Sequence, residues 1–587
     1  MIGNCQINAL INQHGRIVWS CLPQFDSNPA FCSLLHSDDA EPERGLYEIE
    51  LIDLQRVEQE YILNTAILKT TLYDSHGNAV SINDFAPRYQ HFGRSYHPVM
   101  LTRIVQPIAG TPRIRVRLRP ACDYGESDPS VTYGSNHIRY VMPDVTMRLT
   151  TNIPITAIRD ESAFALHETR HLIFGPDESI VGDVATVAHE SLRATRDYWQ
   201  SWVRGLAIPF EWQEAVIRAA ITLKMCTFED TGAVIAAATT SIPEAANSER
   251  NWDYRYCWLR DSYFVVQALN RLGVTKTMGG YLRYIYDVSL NFGEQLQPVY
   301  AISGRADLTE RVVPGLSGYR GMGPVRVGNQ AYEQIQNDSY GAVVLAATQH
   351  FFDFRLTHRG DLEQFRQLEI LGQKAVELFD KPDAGLWEYR GRAQVHTYSA
   401  IICWSAADRL VKVARLLGES DRAAYWEEQA REMHTTICES AWNEERGAFT
   451  EGFDNDHLDA SLLTMHSLGF IAADDPRFLS TISAIEAELK GEDHLFRYGQ
   501  ADDFGVPENA FNICTFWYIE ALVSTGRAKE ARELFERMLE CRNPLGLLSE
   551  DLDPNTHELW GNFPQTYGMV GIINSARILS ESWESAL

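Results

Sequence analysis

The chain has 587 residues, 45% hydrophobic and 22% charged, the balance of an ordinary folded protein, and its formal charge at pH 7 is −27. Its length suffices for a large core and points to two domains. The acidity argues against nucleic acid or an anionic membrane as partner, since both are bound through clustered Lys and Arg, and is compatible with a neutral small molecule.

From the start to residue 190 the pattern is β. Short segments of period-two alternation are separated by turn residues, as in AILKTTLYD, the turn His76-Gly77-Asn78 and AVSINDFAP. Between Pro112 and Pro120, Ile114, Val116 and Leu118 alternate with Arg113, Arg115, Arg117 and Arg119. One face of this strand is buried, and the other carries a row of guanidinium groups. Those arginines are read as a solvated face, or as partners of the acidic rest of the molecule, rather than as a ligand groove. Residues 1–190 are therefore expected to form an antiparallel β-sandwich. Residues 191–208 hold Tyr198, Trp199 and Trp202 ahead of Gly205 and are expected to be a helical linker, glued by its aromatics to one domain.

From residue 209 to 587 the stripes are helical. Ala215, Val216, Ala219, Ala220 and Leu223 make one; Ile402, Ala406, Leu410, Val413 and Leu417 another; Phe478, Ile482, Ile485 and Leu489 a third. The stretch AVVLAATQHFF, residues 342–352, is apolar nearly all round and implies a helix buried on both sides. The spacing predicts about twelve helices, joined by loops that alternate between short and long. Two concentric rings of six, an (α/α)6 barrel, satisfy this pattern, because a buried inner ring needs an outer ring to cover it.

The loops between these helices carry polar and aromatic residues that packing does not explain. RNWDYRYCWLRD, residues 250–261, gathers Trp252, Tyr254, Tyr256 and Trp258 with Arg250, Arg255, Arg260 and Asp261, just ahead of an apolar helical stripe. Aromatic faces stack on the apolar faces of pyranose rings, and Arg and Asp make directed hydrogen bonds to hydroxyls. A buried aromatic cluster with a structural Arg260–Asp261 ion pair is the plain alternative. Residues 318–341 are rich in Gly, Gln and Asn, suited to hydroxyl recognition, and do not fit a phosphate loop. Glu388 directly follows Trp387; a carboxyl group against an indole is partly desolvated, which favours the protonated form that a general acid needs. A surface Glu beside a packed Trp fits the local pattern equally well. Further on stand Arg497, Asp502 and Asp503, then Glu550, Asp551, Asp553 and Glu558, one of which suits a catalytic base. The spacing of the last group does not match a calcium loop.

The ten cysteines form no CxxC pair and do not cluster with histidines along the chain, so free buried thiols and no zinc site are expected. No secretory leader pattern and no apolar run near the ~20 residues needed to span a bilayer is visible, and a cytoplasmic protein is expected.

With these residues assembled, the chain resembles glycoside hydrolase family 15, the glucoamylases, glucodextranases and some trehalases, over essentially its whole length. The Tyr-x-Tyr-x-Trp-x-Arg-Asp pattern is met by Tyr254, Tyr256, Trp258, Arg260 and Asp261, the Leu-Trp-Glu motif by Leu386, Trp387 and Glu388, and an Arg-Tyr motif by Arg497 and Tyr498. The resemblance implies a β-sandwich before an (α/α)6 barrel, as in prokaryotic members. It also implies that Glu388 is the general acid and Glu550 the general base, with Glu558 the next choice. Tyr254, Trp258, Arg260, Asp261, Trp387 and Arg497 would hold the sugar. An inverting, exo-acting α-glucosidase follows, needing no metal or organic cofactor. The first-ranked substrate is a maltooligosaccharide, the second α,α-trehalose, the third an isomalto-type glucan; a catalytically silent carbohydrate-binding protein is the non-enzymatic reading. In the fungal glucoamylases of the family a second acid follows the catalytic Glu, where this chain has Tyr389 and Arg390, so the subsite for the second sugar should differ.

Overall fold

Alternating side chains and turn residues in the first third of the chain produce two antiparallel sheets packed face to face. The computed structural model describes residues 1–37, 42–290 and 295–586. One sheet has seven strands and the other eight, the latter running from Ser130–Tyr133 at one edge to Leu54–Tyr61 at the other. Ile49, Val116, Leu72, Ile82, Leu149 and Phe174 meet between them in one core. In the strand Arg113–Arg119, Ile114, Val116 and Leu118 are buried as the alternation demands. Three of the four arginines of its other face find acidic partners: Arg115 pairs with Glu50, Arg117 with Glu48 and Glu50, and Arg119 with Glu161.

The helix Val184–Arg204 follows the sheets. Ala188, near its start, packs with Phe85, Ile104 and Ile173 of the eight-stranded sheet, while Trp199 and Val203, near its end, join the core of the helical domain. Its aromatic end thus ties the sheets to the helices, rather than serving one domain alone.

Among the described residues, twelve helical elements of the C-terminal part alternate between two rings. The inner ring is Leu259–Arg271, Asp338–Phe352, Thr397–Leu417, the short Met465–Leu468 with its preceding 3-10 turn, Asn512–Ser524 and Thr566–Leu579. Each packs on the next in that order and the last packs on the first, so the ring closes. The outer ring is Gln213–Met225, Thr275–Leu290, Leu362–Leu378, Ser420–Ser440, Pro476–Leu489 and Ala528–Glu540. Composition explains the sorting. Asn512–Ser524 buries nearly every side chain, whereas Ala528–Glu540 buries only Ala531, Leu534, Phe535 and Met538, a single stripe. Inner helices also approach closely: a Cβ at Gly341 would lie 2.2 Å from the Ile402 carbonyl oxygen, so only glycine fits there.

Chain direction then positions the site. Every outer helix leads into an inner one through a long loop, and inner helices return to outer ones through shorter loops. All inner-helix N-termini and all long loops therefore lie at one end of the barrel. The ten cysteines are free, nine buried and Cys438 half-buried. No helix among the described residues is long and apolar enough to cross a membrane.

Candidate active site

The long loops and first turns at this end enclose a pocket of about 840 Å³, its mouth included. Tyr254, Trp258, Arg260, Asp261, Trp387, Glu388, Arg497 and Glu550 all line it. Glu558 does not: it is partly exposed and pairs with Arg320 at 2.7 Å.

Glu388 sits in the loop between Leu362–Leu378 and Thr397–Leu417, with a left-handed backbone, φ 60°. A non-glycine residue held there costs on the order of 1–3 kcal/mol, a strain that surrounding structure must over-determine. Here the surroundings do so. Gln334 Nε2 donates to the Glu388 carbonyl at 3.0 Å, Trp258 Nε1 donates to Glu388 Oε1 at 2.5 Å, and Arg260 and Gln336 reach the same oxygen at 3.4 and 3.3 Å. The indole against this carboxyl is that of Trp258, not Trp387 as adjacency in the sequence implies. Trp387 turns away, donating to Asp459 at 2.5 Å and packing against Tyr498, Phe511 and Trp517. Burial pushes Asp459 up to about 6, with Glu451 adding to the effect.

Glu550 follows the outer helix Ala528–Glu540 and is 1% exposed. Tyr254 donates its hydroxyl to Glu550 Oε1 at 2.7 Å, and the Tyr254 ring meets Trp258 edge to face at 5.4 Å. A contiguous line of contacts thus joins Glu550, Tyr254, Trp258 and Glu388 in the pocket lining. Burial holds Glu550 well above the ordinary carboxylate range, and Glu244 and Asp551 push the same way; Tyr254 and Arg497 pull it back. Gly561, φ 77°, backs it: a Cβ there would lie 2.7 Å from Glu550 Cβ.

At the start of the inner helix Leu259–Arg271, Arg260 is surrounded by carboxyl groups. It contacts Asp338 at 3.1 Å, Asp261 at 3.4 Å and Glu388 at 3.4 Å, and donates to Gln336 at 2.7 Å. The plain alternative of a structural Arg260–Asp261 pair is therefore too narrow. Burial pushes Asp261 up to about 7 against the pull of Arg260. Asp261, Tyr567, which hydrogen-bonds it, and Glu550, whose buried Oε2 has no hydrogen-bond partner among the described residues, all line the pocket. Such groups suit a polyhydroxyl ligand. Arg497 is anchored through Glu244, which accepts from Arg497 at 2.5 Å and from Trp252 Nε1 at 2.8 Å.

Towards the mouth, Arg390 lies over the Trp252 ring, 4.4 Å from its centroid, and donates to Glu310 and Gln330. The backbone N–H groups of Arg390 and Gly391 donate to Asp503 at 2.8 and 2.9 Å, and Phe504 meets Trp252 edge to face. Sequence reasoning did not single out Glu244, Gln336, Asp338 or Tyr567. Asp338 and Tyr567 carry a usable signal, since both fall in the first turn of an inner helix after a long loop. Glu244 carries none.

Comparison with known proteins adds what geometry cannot. Residues 212–577 match the model of glycosyl hydrolases family 15, and residues 1–155 match a trehalase-like N-terminal domain. The chain is 30% identical over 600 residues to a trehalase of Thermoplasma volcanium, covering 99% of this chain and 93% of that protein. It is 32% identical over 611 residues to a trehalase of Mycolicibacterium smegmatis, covering 98% and 89%. A bacterial glucoamylase complexed with acarbose shares the fold, with a TM-score of 0.68 at 14% identity, covering 98% of this chain and 93% of that one.

Proposed function

The chain belongs to the glycosyl hydrolases of family 15, and from that premise we propose that it is an inverting α,α-trehalase. The observation that carries this reading is the likeness to trehalases along almost the entire chain, N-terminal domain included. It moves α,α-trehalose ahead of the maltooligosaccharide ranked first from sequence, because the glucoamylase likeness speaks to fold alone.

One glucose occupies the inner pocket, its hydroxyls held by Arg260 and Asp261 and its ring against Trp258 and Tyr254. The second lies towards the mouth, between Trp252, Arg390 and Asp503, where the chain departs from the fungal glucoamylases. Protonated Glu388 donates to the glycosidic oxygen as the bond breaks. Glu550, ionised, takes a proton from a water on the opposite face of the ring, and the water oxygen bonds to the anomeric carbon. Inversion at one centre of a 1,1-linked α,α-disaccharide yields one β-glucose and one α-glucose. Trp258 and Arg260 steady the acid, and Tyr254 and Arg497 favour the ionised base.

Initial rates on trehalose, maltose, maltotriose and isomaltose test the substrate. The proposal expects kcat/KM on trehalose to exceed the others by at least about 100-fold, a floor well within the discrimination that a hydrogen-bonding site supplies. Preference for maltotriose overturns it in favour of glucoamylase-type action.

A further inference from the structure

Outside the pocket, three residues far apart in sequence converge where the Arg497 and Glu550 loops meet. His494 lies in the tight turn after Pro476–Leu489, three residues before Arg497. Cys541 caps the helix Ala528–Glu540, and His557 sits in the turn from Asp553 to Glu558, seven residues after Glu550. One ligand atom from each lies within 4.8 Å of the other two. We infer that His494, Cys541 and His557 bind a thiophilic divalent transition metal, of which zinc is the type, and so pin the Arg497 loop to the Glu550 loop.

Three observations carry this. His494 is 3% exposed, and neither of its ring nitrogens has a hydrogen-bond partner among the described residues. A buried imidazole without a partner is costly, and a metal would supply one. Cys541 Sγ and His557 Nδ1 are 3.4 Å apart. Tetrahedral zinc with bonds of ~2.3 Å to sulfur and ~2.05 Å to nitrogen separates those atoms by about 3.5 Å. Finally, two imidazoles and a thiolate form a donor set that favours zinc over magnesium or calcium. The exposed side of His557 leaves the fourth position to water. Binding converts the Cys541 thiol to thiolate, and its proton passes to solvent. Positions 494, 541 and 557 share no motif spacing, which is why the histidine–cysteine cluster is invisible along the chain and the expectation of no zinc site rests on sequence spacing alone.

Cobalt(II) is the probe, added to the chelator-stripped full-length protein alongside His557→Asn. Asparagine tolerates the left-handed φ of 60° at this position, and His557 is exposed, so its replacement leaves the fold intact. The wild type should bind one equivalent, show a thiolate-to-cobalt charge-transfer band with intense four-coordinate d–d bands, and gain melting temperature with zinc. The variant should lose the bands and the thermal gain while its metal-free melting temperature stays the same. Cys541→Ser should lose the charge-transfer band selectively. Absence of that band in the wild type, or an equal zinc response in wild type and His557→Asn, overturns the inference.

Discussion

Replacing Tyr254 by Phe removes one hydroxyl and keeps the ring. That hydroxyl donates to Glu550 Oε1 at 2.7 Å, and with Arg497 it opposes burial, Glu244 and Asp551, which together hold Glu550 well above the ordinary carboxylate range. A hydrogen bond to a charged group contributes about 1.5–3 kcal/mol. At 1.4 kcal/mol per factor of ten, its loss lowers kcat/KM roughly 10- to 150-fold wherever Glu550 is largely protonated. The direction is fixed by the role of the base, which works only when ionised. Activity of the wild type rises with pH through a limb lying above the usual carboxylate range, and the limb of Tyr254→Phe lies higher still. The deficit closes at alkaline pH, where both proteins are ionised. The edge-to-face contact with Trp258 survives the substitution, and Trp258 still donates to Glu388, so the acid side of the pocket keeps its geometry. The assay is kcat/KM for trehalose across pH by glucose release. An acid limb that stays put or moves to lower pH refutes the assignment of Glu550 as base under Tyr254 control.

Glu388→Gln should lower kcat on trehalose by about 10²- to 10⁴-fold while sparing much of the turnover of α-glucosyl fluoride, whose leaving group needs no proton; equal losses on both substrates would contradict the acid role. Gly561→Ala places a Cβ 2.7 Å from Glu550 Cβ on a backbone of φ 77°, and should cost on the order of 100-fold in kcat by displacing the base; unchanged kinetics would mean the loop yields freely. Asp459, 3% exposed, titrates at about 6 when folded, against 3.8 for an unperturbed carboxyl. The folded state therefore binds more protons between those values, and stability falls by about 3 kcal/mol as pH rises across that window. Asp459→Asn lacks this fall, so its melting temperature relative to wild type should climb from pH 4 to pH 6 and then level; a flat difference would refute the linkage.

Sequence periodicity carried the architecture well, for physical reasons. Strand Arg113–Arg119 and helix Ala528–Glu540 each bury one face, so their hydrophobic periods of two and 3.6 survive in the residues. The apolar run at 342–352 betrayed the inner ring because a helix covered on all sides has no face left for polar groups. The aromatic and charged clusters at 250–261 and 386–388 were visible since packing alone does not ask for them. What stayed hidden depends on three-dimensional closure. Glu244 reaches Arg497 across a sequence separation of 253 residues. Trp387 and Glu388 are neighbours in sequence whose side chains diverge, because the left-handed backbone at Glu388 turns its carboxyl towards Trp258 and leaves Trp387 to Asp459. The Arg260 cluster draws on Asp338, which ordinary helix-start chemistry would explain equally well.

The most direct test of the central claim follows the anomers of glucose by NMR during the first minutes of trehalose hydrolysis, before mutarotation mixes them, with Glu388→Gln alongside. Equal amounts of α- and β-glucose, lost in the variant, are the result the account predicts. Two equivalents of α-glucose would contradict inversion, and no release from trehalose would contradict the assignment of substrate.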